Sequence, residues 1–293
     1  MLIRKSEARL IVFFAMRHRG ANILIAIRCV FLSSSHMSST HAFSGIPVSS
    51  RPAKPRESGL TMLIDWGIGP AAEEDLLKTS SEYIDLAKIA VGISGLLDKD
   101  VLTTKLGTYR KYGVKPFPGG QFLEYAVGKG LEDVFLKEAG EAGFQMIEVS
   151  DNTVPFEPAF KTELIRKAKE DFGFVVLGEV GSKISATEIE PFVADVRQCL
   201  DAGAWKVFVE AADLLDGQDL RVDLVEALNN EFKLEQLIFE LPGWWLGSEG
   251  MLKIEVLNRL FKELGSDVNL ANVDQGDVLY LETQRRKTGV SGF

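Results

Sequence analysis

Four glutamates recur about every thirty residues, and each closes a short run of apolar residues. They are Glu148, Glu179, Glu210 and Glu240. Carboxylates of this kind can ligate a hard divalent cation such as Mg²⁺ or exchange protons with a substrate. Any one of them can instead pair with a lysine or arginine and serve stability alone, but that explanation weakens when all four share one register. The pattern indicates a carboxylate-lined site.

Histidine and cysteine chemistry is excluded from most of the chain. His18, His36 and His41 all lie in the first 56 residues, as does Cys29, whereas Cys199 falls in a helical pattern and is expected to be a small core residue. The remainder has no imidazole, which rules out Ser–His–Asp and Cys–His catalysis and histidine-ligated zinc or iron. Cysteines that form no pair favour a reducing compartment, and we expect the cytoplasm.

The elements that position the glutamates alternate between strand and helix. An apolar, β-branched run and an amphipathic helical stretch repeat from Gly59 onward, which predicts a single (β/α)₈ TIM barrel over residues 57–293. In such a barrel the carboxyl ends of all strands meet at one rim, so the glutamates become neighbours. The predicted strands are Leu60–Asp65, Ile84–Lys88, Lys115–Pro118, Met146–Glu148, Val175–Glu179, Lys206–Glu210, Leu237–Glu240 and Val268–Asn272.

Strand alternation predicts what lies beneath the glutamates. Each glutamate shares a strand face with the residue two before it, and these partners are large and apolar. They are Met146, Leu177, Phe208 and Ile238. The barrel interior is therefore expected to be apolar, with the glutamates above it at the rim.

Two lysines occupy opposite ends of their strands. Lys88 ends the second strand, where it would offset substrate charge or pair with a neighbouring rim acid. Lys206 begins its strand and is expected to be a structural residue at the other face. A Schiff-base enzyme that uses Lys88 or Lys206 as its nucleophile is an alternative. Gly119 and Gly120 follow the third strand and permit close approach to a ligand or a sharp turn.

Charge is distributed unevenly along the chain. The formal charge is −9, but residues 1–56 hold nine Lys or Arg against the single acid Glu7. That net +8 leaves −17 for the barrel, which argues against a nucleic-acid partner. A small anionic substrate would need local cations or a metal. A homo-oligomer stays open, because no exposed patch can be derived from the sequence.

The first 56 residues are expected to be a flexible leader. Arg17, His18, Arg19 and Arg28 interrupt the apolar stretch 10–32, so no membrane-spanning segment is expected. The Arg- and Ser-rich, acid-poor composition is that of an organellar transit peptide. Alternatively, Met37 is the true start.

Six motifs in register resemble the phosphosulfolactate synthase family. The resemblance covers residues 51–288. It implies an Mg²⁺-dependent lyase that adds sulfite to phosphoenolpyruvate and gives (2R)-2-phospho-3-sulfolactate, in coenzyme M or sulfolactate formation. The family also includes heat-stress-associated plant proteins on the same barrel. The motifs are Lys54–Gly59, Pro118–Gly120, Ile147–Asp151, Gly178–Lys183, Val268–Asn272 and Leu281–Arg285.

The resemblance also suggests roles for individual residues. Lys183 would donate a proton to the substrate, with Lys88 and Glu179 as further catalytic residues. The metal ligands would be Glu148, Glu179 and Glu210. Substrate contacts are expected from Ser94, Gly119, Gly120, Asn272 and Arg285.

The chain departs from the family pattern at several positions. Ala212 and Gly289 replace family arginines, and Trp244 and Trp245 are additional. The loss of two cations suggests a pocket less suited to a multiply charged anion. Two alternatives follow: a related barrel enzyme with a changed substrate, and a non-catalytic, stress-associated barrel protein.

Overall fold

The chain divides into two units, residues 1–50 and 51–293. The computed structural model describes residues 42–182, 187–247 and 250–290, and the backbone alone of residues 11–18, 21–28, 250 and 251. In the first unit, β1 (Ile11–His18) pairs with β2 (Ala21–Arg28) in an antiparallel hairpin. Sequence analysis assigns no regular structure there. β1 contains Ile, Val and two Phe, and β2 contains three Ile, residue types that are enriched in β-strands.

The second unit is a (β/α)₈ barrel, as predicted. Its parallel strands follow the order β5, β4, β3, β12, β11, β8, β7, β6, and β5 lies beside β6, so the sheet is nearly closed. All eight predicted strands are confirmed. In chain order the strands of this unit are β3 (Thr61–Asp65), β4 (Leu86–Ile89), β5 (Lys115–Pro118), β6 (Met146–Val149), β7 (Val175–Val180), β8 (Lys206–Val209), a short antiparallel pair β9 (Leu215–Asp216) and β10 (Asp219–Leu220), β11 (Leu237–Glu240) and β12 (Leu270–Val273).

Helices connect successive strands and cover the outside of the barrel. Proline at the first helical position begins α1 and α5, and left-handed Gly143 and Gly203 end α4 and α6. Within the described residues, every helix is too short or too polar to cross a membrane. The helices are α1 (Pro70–Ser80), α2 (Lys99–Lys111), α3 (Gly120–Val127), α4 (Glu132–Ala142), α5 (Pro158–Glu170), α6 (Ile189–Ala202), α7 (Val222–Glu231), α8 (Gly250–Leu264) and α9 (Val278–Arg285).

The barrel interior is apolar, and each of the eight parallel strands contributes one residue to it. Phe117 and Phe208 stack across the centre with ring centroids 6.0 Å apart. The predicted interior positions are confirmed, so residues two places further along these strands reach the carboxyl rim. The interior cluster is Met62, Leu86, Phe117, Met146, Leu177, Phe208, Ile238 and Ala271.

The barrel unit begins at Arg51 rather than at residue 57. Lys54 Nζ donates to the carbonyl oxygen of Ser81 at 2.9 Å, and Arg56 Nε donates to Asp85 Oδ1 at 2.8 Å. These bonds hold the segment against the amino-terminal ends of the strands. Cations that the sequence analysis counted with the leader therefore have their partners in the barrel unit.

Candidate active site

Strands β7, β8 and β11 bring three glutamates together at the carboxyl rim. One carboxylate oxygen from each of Glu179, Glu210 and Glu240 lies within 4.8 Å of the other two, and all three side chains are buried. We call these residues the carboxylate cluster. Opposite oxygen ligands of an octahedral Mg²⁺ are about 4.2 Å apart, so small side-chain movements would let the cluster hold such an ion.

Lys88 lies beside this cluster. Its Nζ is 3.0 Å from Glu148 Oε2, 3.0 Å from Glu240 Oε1 and 3.8 Å from Glu179 Oε2, above the Phe208 ring. Burial lowers the pKa of Lys88, but the three carboxylates outweigh burial and hold that pKa well above its usual value. The amine is therefore charged, which disfavours the Schiff-base alternative. The predicted pairing with a rim acid is observed.

Glu148 takes a different place from the one predicted. It lies beside the carboxylate cluster, with its Oε2 3.0 Å from Lys88 Nζ and its carboxyl group against that of Glu179, while Glu240 is the third member of the cluster. Burial, followed by the nearby charges of Glu179 and Glu240, raises the pKa of Glu148 well above its ordinary value despite Lys88. A raised carboxyl pKa shows that negative charge is disfavoured here, and a bound divalent cation would favour the ionised carboxylate.

Asn152 is a site residue that sequence reasoning missed. Its Nδ2 donates to Glu179 Oε1 and, at 3.2 Å, to Glu210 Oε2. Its Oδ1 is buried and has no hydrogen-bond partner within the described ranges. The sequence feature that could have identified Asn152 is a short polar run, residues 150–153, directly after strand β6.

Glu124 on α3 fixes the loop that carries Asn152. It is fully buried, and its carboxylate accepts hydrogen bonds from the Ser150 hydroxyl and from the backbone N–H groups of Asn152, Thr153 and Val154. This residue was also missed, because its partners lie more than twenty positions away in the sequence.

Close packing explains why glycine occupies the two positions directly after β5. A Cβ on Gly119 would lie 2.7 Å from the backbone nitrogen of Val91, and a Cβ on Gly120 would lie 2.8 Å from Glu148 Oε1. The chain therefore passes directly beside the ion-paired glutamate. Substrate contact by these glycines stays a prediction.

The other predicted contact residues lie at different depths. Ser94 is buried, and it lines a cavity of about 460 Å³ between α2, α3 and α4. Asn272 is the penultimate residue of β12 and has φ of 59°, and its Nδ2 donates to the Leu241 carbonyl oxygen at 3.4 Å. Lys183 lies outside the described residues.

Arg285 does not belong to this rim, which corrects a prediction. Its guanidinium donates to the carbonyl oxygens of Ser266, Val268 and Leu60, at the amino-terminal ends of β12 and β3. Burial lowers the pKa of Arg285 to about 9. At the same end, Lys206 Nζ lies 2.9 Å from Glu57 Oε2, as expected of a structural residue.

Three tryptophans meet above the carboxyl rim. The Trp66 ring lies 5.5 Å from each of Trp244 and Trp245, measured between centroids. Trp66 follows β3 and the other two follow β11, so their contact spans the end of β12 between those strands. The loop after the neighbouring strand β8 carries Ala212, whose backbone N–H donates to Glu210 Oε1 at 3.2 Å.

Comparison with known proteins decides the family. The sequence profile described as (2R)-phospho-3-sulfolactate synthase (ComA) matches residues 49–290. The chain belongs to the phosphosulfolactate synthase family. Phosphosulfolactate synthase of Methanocaldococcus jannaschii is 34% identical over 78% of this chain and 92% of its own length. The Bacillus subtilis phosphosulfolactate synthase is 32% identical over 80% of this chain and 92% of its own length. These relatives support a lyase-type enzyme.

The family reaches beyond these synthases. Protein HEAT-STRESS-ASSOCIATED 32 of Arabidopsis thaliana is 24% identical over 80% of this chain and 88% of its own length. Among solved structures, the carboxyl transferase domain of Rhizobium etli pyruvate carboxylase matches with a TM-score of 0.52 and 11% identity, over 76% of this chain and 41% of that chain. This likeness shows the fold alone.

Proposed function

We propose that the protein is an Mg²⁺-dependent carbon–sulfur lyase that adds sulfite to phosphoenolpyruvate to give (2R)-2-phospho-3-sulfolactate. The observation that carries the proposal is the carboxylate cluster of Glu179, Glu210 and Glu240 beside a charged lysine, in a chain of this family. Carboxylate oxygens are hard donors, which suit Mg²⁺. When bound, the ion would supply positive charge next to the substrate carboxylate.

The reaction forms one bond and moves one proton. The sulfite sulfur attacks C3, the C2–C3 π electrons move toward C2 and the carboxylate, and C2 then takes a proton. Lys183 is the proposed donor, because it follows Glu179 by four residues and the site has no histidine. Lys88, whose raised pKa keeps it charged, would attract the anionic substrate and stabilise the charge that develops on it.

A second candidate follows from the cations at the rim, most of which have partners within the protein. Four described lysines and arginines there already pair with carboxylates that follow the strands, and Ala212 stands where the family has an arginine. A lyase with a less highly charged substrate is therefore the second candidate. The four are Lys105, Lys161, Arg221 and Lys253.

A direct assay tests both candidates. Purified protein with Mg²⁺, phosphoenolpyruvate and sulfite should yield phosphosulfolactate by mass spectrometry, and Glu179→Gln should abolish the product. Ala212→Arg should lower KM for phosphoenolpyruvate if the missing arginine limits binding. Absence of product from wild type and from Ala212→Arg, with the fold intact, would reject sulfite addition to phosphoenolpyruvate and leave the lyase with a less highly charged substrate and the stress-associated role.

A further inference from the structure

The burial of the Asn152 side-chain oxygen without a hydrogen-bond partner is not explained by its surroundings in the described residues. Asn152 is 4% exposed, and Oδ1 is buried without a hydrogen-bond partner among residues that the structure describes. Buried carbonyl oxygens in proteins are nearly always paired with a donor, with water or with an ion. The unpaired oxygen therefore points to a ligand that completes the site.

The amide of Asn152 lies directly against the carboxylate cluster. Nδ2 donates to Glu179 and Glu210, two of its three members. Carboxylate oxygens accept hydrogen bonds and repel a carbonyl oxygen, so the nitrogen faces them when no cation is present. A cation among these oxygens reverses that preference, because it attracts the carbonyl oxygen and repels the N–H groups.

The backbone of this residue is held independently of its side chain. The Asn152 N–H donates to Glu124 Oε1 at 3.2 Å, and the next two N–H groups donate to Glu124 Oε2 at 2.7 and 2.9 Å. A half-turn about the Cβ–Cγ bond exchanges the amide oxygen and nitrogen. The side chain can therefore reverse its amide without any movement of the loop.

We propose that Asn152 is a ligand of the divalent cation held by the carboxylate cluster, and that its amide turns over when the cation binds. The inference rests on the cation site of the proposed function. Oδ1 would be the fourth protein oxygen at the ion, a donor that Mg²⁺ and Ca²⁺ accept from asparagine. As a neutral ligand it extends coordination without adding another negative charge to the buried site.

Removal of the Asn152 side chain has opposite effects on cation binding in the two cases, a purely structural role and a role as ligand. If Asn152 only donates hydrogen bonds to Glu179 and Glu210, it competes with the cation for them. Its removal would then tighten binding. If Oδ1 ligates the ion, removal weakens binding by about tenfold or more.

The experiment is a titration of the full-length protein with Mn²⁺, followed by electron paramagnetic resonance. Asn152→Leu, similar in shape and without polar atoms, and the smaller Asn152→Ala should each bind Mn²⁺ at least about tenfold more weakly than wild type. Circular dichroism and thermal melting verify the fold. Thr153→Val is the matched control, because Thr153 Oγ1 donates to Glu124 in the same loop without contacting the cluster; its affinity should equal that of wild type.

Two results would overturn the inference. One is equal or tighter Mn²⁺ binding by a folded Asn152 variant, and the other is a wild-type protein that binds no Mn²⁺. Product formation from phosphoenolpyruvate and sulfite is measured on the same samples. Weakened binding in the variants together with an inactive wild type would support the ligand and reject the reaction, so the two failures are distinguishable.

Discussion

Lys88 is the residue on which the charge balance of the site depends. It is the counter-charge of Glu148 and Glu240, and all three side chains are buried. Burying carboxylates without a partner is far more costly than burying them as pairs. The same ammonium that serves the proposed chemistry therefore also stabilises the fold.

Replacement of Lys88 by methionine should reveal this dual role. We expect Lys88→Met to lower the free energy of unfolding by about 3–5 kcal/mol in cation-free buffer, because one partner of a buried network is lost. Urea denaturation with EDTA measures the change, and added Mg²⁺ should restore part of it. Lys78→Met, which removes an exposed lysine from α1, is the control with little expected effect. Equal stability of Lys88→Met and wild type would contradict the assignment.

Glu73 on α1 makes stability depend on pH. Burial raises its pKa to about 7, although Lys105 at 3.1 Å opposes this. In the unfolded chain the carboxyl ionises near its ordinary value of 4.5. Between those values the folded state retains a proton that the unfolded state has released. The free energy of unfolding therefore falls as pH rises from 4.5 to about 7.

Glu73→Gln removes that cost. The variant should gain stability relative to wild type between about pH 5 and pH 8, by about 2 kcal/mol at the upper end. Paired urea titrations across this range measure the difference. Asp75→Asn, on the exposed part of the same helix, controls for the loss of a helix charge. If the difference in the free energy of unfolding between wild type and variant does not change with pH, Glu73 is already ionised in the folded protein.

The connection from β4 to α2 stores backbone strain beside the site. Val91 has φ of 45°, a conformation that a β-branched residue rarely adopts, and it comes three residues after Lys88. Gly119 packs on its backbone nitrogen, which holds the connection in this shape. The element is therefore strained where it leaves the rim.

Replacement of Val91 by asparagine should relieve the strain. Asparagine tolerates the left-handed region better than valine does, so Val91→Asn is expected to raise the free energy of unfolding by about 1 kcal/mol. Guanidinium denaturation measures the gain. Val101→Asn, at an exposed helical position of α2, should give none. A Val91→Asn variant no more stable than wild type would mean that the loop is relaxed as it stands.

At the scale of the whole molecule, the proposed cation joins three separate parts of the barrel. Glu179, Glu210 and Glu240 come from different strands, and the unfolded chain has no such cluster. A ligand that binds only the folded state stabilises it by mass action. Cation binding and barrel stability should therefore be linked.

Mg²⁺ at about one hundred times its dissociation constant should stabilise the barrel by about 2.7 kcal/mol. Thermal melting with and without EDTA checks this prediction. Glu240→Gln should reduce the effect sharply, whereas Glu57→Gln, at the opposite end of the barrel, should retain it. A melting temperature that does not respond to Mg²⁺ in wild type would count against the cation site.

Architecture and the general position of the site follow from the sequence alone. The two-residue alternation of β-strands determines which side chains point inward, and the repeat of strand and helix predicts eight carboxyl ends at one rim. These are local rules, so they placed Glu179, Glu210, Glu240 and Lys88 together correctly.

Only the tertiary structure decided how those residues divide their roles. Lys88 pairs with both Glu148 and Glu240, Arg285 bonds to carbonyl groups at the opposite end, and Glu124 holds the loop that carries Asn152. Each outcome depends on loop paths and on contacts between residues far apart in the chain. Periodicity shows which face a side chain occupies, but partner choice is settled by distances of a few ångströms that no sequence pattern encodes.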